Sequence, residues 1–359
     1  MQPLTNQLNT DEKYMHRCIQ LAENGLGTTY PNPLVGSVIV LNDTIIGEGW
    51  HQKSGQNHAE INAIESVKNK ENLKNSTIYV NLEPCSHFGK TPPCSESIIN
   101  FGFKRIVIGC QDENSIVNGK GIQRVKNAGI EVILGVLENE CKELNKRFFT
   151  FHTKKRPYIV LKYAQSFDGF LDVERSVKSI NESGGTQISN NYSLQLVHKW
   201  RSEEHAILVG TQTVLNDNPK LNVRHWKGFE PIKLIIDKDL KISLEYAIFS
   251  QDKVWVFHNI ELENKLKAEN TTYFEIDFTQ DIWAQIFEIL FENQIQSLII
   301  EGGKNVLDQL IEKNYWDEAR IITSKSKFLN TGLKAPEFKG KLQQRFDVLD
   351  DEICIFRNE

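Results

Sequence analysis

Apolar residues in the first 150 positions follow two alternating rhythms. Met15, Cys18, Ile19 and Ala22 fall at helical spacing behind Thr10, which can cap a helix with Asp11 and Glu12 in its first turn. Residues 35–41 read as a buried strand that turns at Asn42-Asp43 into a second strand over 44–49. Further along, helices are predicted over 58–67, 94–101, 121–127 and 138–146, and strands over 77–82, 105–109 and 131–135. The second half alternates as well, with strands over 158–163, 206–210, 232–237, 254–258, 297–301 and 320–323. Helices are expected over 189–200 and 305–313, and a late antiparallel strand over 347–356. Strands alternating with helices predict α/β layers in both halves.

At 359 residues the chain is long enough for about two domains of roughly 150 residues. The charged segment Thr153-Lys154-Lys155-Arg156-Pro157 is the expected seam, giving domains 1–150 and 155–359. Residues 1–154 hold 16 basic and 16 acidic side chains, whereas residues 155–359 hold 26 and 31, which places the whole net charge of −5 in the second half. Neither half is the basic block of a nucleic-acid arm. Apolar runs are too short for a membrane-spanning helix, and the first fifteen residues lack the basic-then-apolar plan of a secretion signal. The expected setting is therefore the cytoplasm, with no nucleic-acid or membrane partner. Five of the six cysteines lie before Lys154; in a reducing compartment they are buried thiols or metal ligands rather than disulfides.

Two of those cysteines, with one histidine, suggest chemistry. His58-Ala59-Glu60 is followed by Pro84-Cys85 and Pro93-Cys94. One imidazole and two thiolates suit zinc, and three protein ligands leave a fourth position where water has a pKa of about 7. Glu60 is the expected proton carrier. Residues two apart on a regular helix point in nearly opposite directions, so His58 and Glu60 share a site only if His58 sits at the helix start. Zinc nucleobase deaminases carry H-x-E with P-C-x-x-C; here eight residues separate the cysteines, placing His87, Lys90 and Thr91 at the rim. The competing readings are a structural zinc closed by His51, His87 or Cys110, a metal-free thiol core, and a nucleic-acid-editing deaminase with an appended recognition domain.

Pro31-Asn32-Pro33-Leu34-Val35-Gly36, His58-Ala59-Glu60 and the run from Glu83 through Thr91-Pro92-Pro93-Cys94 closely resemble the bifunctional deaminase/reductase family of bacterial riboflavin biosynthesis. The resemblance implies a cytidine-deaminase-like α/β/α domain followed by a dihydrofolate-reductase-like α/β domain. It further implies one zinc ion per chain on His58, Cys85 and Cys94, with Glu60 catalytic. Deaminase substrate contacts are implied for Asn32, His51, Lys90, Asp112 and Asn114. The substrate class is a phosphorylated pyrimidine, and a homo-oligomer is expected.

Read without that likeness, Glu301-Gly302-Gly303-Lys304-Asn305 is a strand-to-helix turn where a phosphate could approach backbone amides, a weak signal on two glycines. Residues 162–169 resemble the first strand and loop of the family's reductase, and residues 213–224 its substrate and cofactor segment. The likeness assigns Ala164, Gln187, Thr213, Asp217, Gly302, Gly303, Lys304 and Asn305 to NADPH. It assigns Arg201, Leu221, Arg224 and Glu301 to the reductase substrate. Gln187 stands where the family usually has tryptophan, a departure on the cofactor side.

Overall fold

The computed structural model describes residues 4–86, 92–113, 118–174, 181, 183–250, 253–259 and 270–358. It forms two compact units, Met1–Lys155 and Arg156–Glu359. Among the described residues no helix is long and apolar enough to cross a membrane.

The first unit runs α1 (Leu4–Glu23), β1 (Gly36–Leu41), β2 (Thr44–Trp50), α2 (Ala59–Ser66), β3 (Thr77–Leu82), α3 (Cys94–Phe101), β4 (Arg105–Cys110), α4 (Lys120–Asn127), β5 (Glu131–Leu134), α5 (Glu138–Leu144) and α6 (Lys146–Lys154). Its sheet has the order β2-β1-β3-β4-β5, with β1 antiparallel to both neighbours and β3, β4 and β5 parallel. Alternation along each strand builds two cores. Val38, Tyr79 and Val107 face Met15 and Cys18 of α1 and Cys141 of α5. Ile39, Ile78, Val80, Ile106 and Ile108 face Ala63, Ile98 and Val125 of α2, α3 and α4. The result is an α/β/α sandwich in which the parallel β3 and β4 end side by side.

The second unit contains β6 (Tyr158–Gln165), β7 (Phe170–Asp172), α7 (Asn191–Glu203), β8 (Ala206–Gly210), α8 (Thr211–Asp217), β9 (Ile232–Ile236), β10 (Val254–Asn259), β11 (Thr271–Ile276), α9 (Ile282–Glu292), β12 (Ser297–Ile300), α10 (Lys304–Glu312), β13 (Glu318–Ser324), β14 (Leu333–Lys334), β15 (Lys341–Val348) and β16 (Asp351–Arg357). Nine strands form one sheet in the order β11-β10-β9-β8-β12-β6-β13-β16-β15, parallel through β13 and antiparallel beyond it. Strands buried on both faces explain the continuous Val/Ile/Leu runs. Trp283, Ile286 and Leu290 of α9 are almost completely buried against one face, each contributing about 1.5–3 kcal/mol of burial. Val197 and Trp200 of α7 cover the other.

Three expectations change. Thr10 lies inside α1, which begins at Leu4, so it is not the cap. The helix expected over 138–146 breaks at Asn145, and α6 continues to Lys154. The cause is the Asn145 carboxamide, which accepts from Leu34 N at 2.8 Å and donates to Leu34 O at 2.9 Å. The tail is a hairpin of two strands, turning at Leu349 with φ 56°. Helices α8 and α9 and strand β11 had no counterpart in the sequence reading.

Candidate deaminase and reductase sites

His58 is the residue immediately before α2, with extended backbone (φ −71°, ψ 164°), and Glu60 stands in the first turn. That irregular start lets side chains two apart reach one site, as the spacing required. Cys85 follows the end of β3, and Cys94 opens α3 behind Pro93. His58 Nδ1 lies 3.6 Å from Cys85 Sγ and 3.2 Å from Cys94 Sγ, and the three ligand atoms all fall within 4.8 Å of one another. The Cys94 amide donates to Cys85 Sγ at 3.3 Å, so the first N–H of a helix supports the sulfur's negative charge.

The electrostatics agree with a site built around a thiolate. The Cys85 thiol is drawn down to about 4, first by the Cys94 thiol and, against burial, also by His58. His58 is raised to about 8 by its hydrogen bond to Cys85, against burial. Burial pushes the Glu60 carboxyl up, with the His58 charge opposing it. Glu60 is 3% exposed and its Oε2 meets no hydrogen-bond donor. The donor set fits zinc: one imidazole nitrogen, two sulfurs and a buried carboxylate oxygen alongside, free to exchange a proton.

None of the fourth ligands considered for a structural site joins this group among the described residues. The Cys110 thiol donates to Asn81 O at 3.4 Å, and His87 lies outside the described residues. His51 is engaged on both ring nitrogens, Nδ1 with Asn57 O and Nε2 with the Asn32 carboxamide, each at 3.0 Å. Its ring stands edge-on to His58, with centroids 5.4 Å apart. Burial lowers its pKa, in keeping with a neutral ring. Asp112 follows β4 and is buried, its amide donating to Glu83 Oε2 at 3.3 Å. The parallel pairing of β3 and β4 therefore carries Asp112 to the strand ends from which Cys85 departs. Lys90 and Asn114 lie outside the described residues.

In the second unit the structure joins residues far apart in sequence. Arg201 of α7 closes its fork on Glu301, which follows β12, with Nε–Oε1 at 2.7 Å and Nη2–Oε2 at 2.8 Å. Lys162 of β6 approaches the same carboxylate at 3.5 Å. Burial alone would raise Glu301, but the Arg201 and Lys162 charges outweigh it and pull the carboxyl down to about 2. Lys162 is itself lowered by burial, so the bidentate Arg201 is the stronger partner. Lys162 belongs to this site although sequence reasoning passed over it; only the neighbouring of β12 and β6 reveals it. Arg201 is buried, and its Nη1 also donates to Asn222 O at 3.2 Å. Arg224 Nη1 donates to Asn222 Oδ1 at 2.9 Å.

The Gly302-Gly303 turn meets Thr213: a Cβ on Gly303 would sit 3.2 Å from Thr213 Oγ1. A Cβ on Gly302 would lie 2.7 Å from Val209 Cα, so only glycine lets the turn pack on β8. Gly303 immediately precedes α10, leaving a helix N-terminus beside this turn, a cradle that fits a phosphate-bearing cofactor. The side chains of Lys304 and Asn305 are tied along α10 to Asp308 and Gln309. Asp217 ends α8 with Gly185 beside its carboxylate, and Ala164 lies on β6. The exposed Gln187 bonds Ser189 O and Asn191 Oδ1. Leu221 is buried in the core with Val197 and Trp200.

An α/β/α unit with a His-Cys-Cys metal triad and a buried glutamate is a zinc-dependent deaminase unit; the α/β unit beside it in sequence carries a nucleotide-type turn. Comparison with known proteins gives the same division. Residues 8–110 match the cytidine and deoxycytidylate deaminase zinc-binding region, and residues 157–328 match the RibD C-terminal domain. The riboflavin biosynthesis protein RibD of Aquifex aeolicus is 36% identical over 90% of this chain and 89% of that protein, and that of Escherichia coli 34% over 92% and 95%. The crystal structure of the deaminase/reductase of Thermotoga maritima superposes with a TM-score of 0.88 at 34% identity, covering 98% of this chain and 99% of that one. The chain belongs to the RibD family of bifunctional riboflavin-biosynthesis deaminase/reductases. The match over residues 157–328 replaces the alternative of an appended nucleic-acid recognition domain.

Proposed function

We propose that the two units perform consecutive steps on one phosphorylated pyrimidine. The first hydrolyses the exocyclic 2-amino group of 2,5-diamino-6-ribosylamino-4(3H)-pyrimidinone 5′-phosphate; the second reduces the ribosyl group to a ribityl chain with NADPH. The observation that carries this reading is the His58-Cys85-Cys94 triad with the buried Glu60 beside it, its Oε2 without a hydrogen-bond partner. Zinc held there supplies a Lewis acid that brings a water's pKa to about 7. Glu60 Oε2 takes the proton of the attacking water and returns it to the departing amine. Its burial, by raising the carboxyl, makes the protonated form accessible for the second transfer. Asn32, oriented by His51, and Asp112 hold the base.

NADPH supplies the hydride when bound. The Gly302-Gly303 turn and the first turn of α10 receive its phosphates, with Thr213, Asp217, Ala164 and Gln187 around them. Glu301 presents its fixed carboxylate to the ribosyl end, with Arg201, Leu221 and Arg224 alongside. We place the protein in the cytoplasm as a homo-oligomer. Mass spectrometry of products from the diamino substrate, with and without NADPH, tests the whole scheme. Deamination without NADPH and reduction only with it are expected; reduction preceding deamination would overturn the order.

Cys94→Ser removes one of three protein ligands. Elemental analysis should show zinc falling from one per chain by about tenfold or more at equal free zinc, while NADPH oxidation on the deaminated intermediate continues. Gly302→Ala forces the turn away from Val209, so the KM for NADPH should rise by about tenfold or more, with zinc content and deamination unchanged.

A further inference from the structure

Glu83 precedes Cys85 by two residues and has no part in the chemistry above. Its carboxylate is 4% exposed and accepts four backbone N–H groups. Oε2 takes those of Asp112 at 3.3 Å and Gly119 at 2.9 Å; Oε1 takes those of Gly121 at 2.9 Å and Ile122 at 3.2 Å. Its own amide donates to Cys110 O at 3.0 Å. Three of the four donors stand at the start of α4, where a negative charge meets the positive end of the helix. A Cβ on Gly121 would fall 2.0 Å from Pro84 O, so the same turn is pressed against the residue joining Glu83 to Cys85. One carboxylate thus ties both ends of the connection from Asp112 to α4, and a single proline separates it from a metal ligand.

We propose that Glu83 is a positioning residue of the deaminase: it fixes Asp112 relative to Cys85 and so sets the affinity for the pyrimidine. This rests on the reading that Asp112 touches the substrate. Charged hydrogen bonds to backbone amides are stronger than neutral ones, and four of them define the place of the chain more tightly than loop packing. Displacement of a contact by about 1 Å can cost up to about a hundredfold in turnover efficiency.

The test uses the full chain. Glu83→Gln keeps the volume but turns an amide nitrogen toward backbone donors. The KM for deamination should rise by about tenfold with kcat nearly unchanged. Zinc should stay at one per chain, and the rate of NADPH oxidation on the deaminated intermediate should not move. Hydrogen exchange at the amides of Asp112, Gly119, Gly121 and Ile122 should quicken. Gly121→Ala, which displaces α4 by steric pressure instead, should give the same split between KM and kcat. An unchanged KM in both variants, or a loss of zinc or of NADPH oxidation alongside deamination, would overturn the proposal. Asp112→Asn separates the two layers. If it leaves KM unchanged, the underlying reading of Asp112 fails; if it raises KM while Glu83→Gln does not, the positioning role alone fails.

Discussion

Glu60→Ala is expected to slow deamination by about 10²–10⁴-fold, the range of a lost general acid–base group. The same variant should retain zinc and oxidise NADPH at the normal rate when given the deaminated intermediate. Glu60 lies in the first turn of α2, while the metal ligand His58 stands just before it, and the carboxylate is not one of the three ligands His58, Cys85 and Cys94, so its removal leaves that set complete. Ammonia release, bound metal and NADPH consumption measured on one preparation decide the matter. A variant that keeps its zinc and still releases ammonia at the normal rate would exclude proton transfer by Glu60.

Glu301→Ala should have the largest effect on stability. It leaves Arg201 and Lys162 as uncompensated buried cations, a change expected to cost about 3–5 kcal/mol. Five of the six tryptophans lie in the second unit, so urea unfolding followed by tryptophan fluorescence reports mainly on that unit. The pH dependence carries a definite sign. Glu301 has a folded pKa of about 2 against an ordinary 4.5. Its contribution is therefore fully present above about 4.5 and is lost as pH falls toward 2. The natural protein should lose stability across that interval, and the alanine variant should show a shallower acid limb. A variant with the same urea midpoint and acid limb as the natural protein would show that the Arg201–Glu301 pair contributes nothing net.

The deaminase triad was legible in sequence because its chemistry is local: His58 and Glu60 share one helix start, and each cysteine follows a proline at an element boundary. The spacing even fixed the backbone geometry at His58. Glu83 was visible as a letter of the motif, but its role was not, since three of its four donors lie 36 to 39 positions away. The Lys162–Arg201–Glu301 cluster was less accessible still. It depends on β12 lying beside β6, a crossover that hydrophobic periodicity does not encode. Strand positions were legible wherever both faces are buried, as in β8 and β12. The edge strand β15 escaped in part because its side chains are mostly exposed, leaving no apolar alternation to read. The break at Asn145 was hidden for a different reason: its partner, Leu34, is 111 residues away.

The bonds around His51 have a direction. A peptide oxygen can only receive a proton, so the Asn57 carbonyl obliges the ring to carry hydrogen on Nδ1 and to offer a lone pair at Nε2. Asn32 must then turn its amino side to the imidazole, which keeps its own oxygen for a visiting donor. On the proposed role of Asn32, one main-chain carbonyl three links away thereby favours ligands that present an N–H, such as an exocyclic amine, over those that present a lone pair.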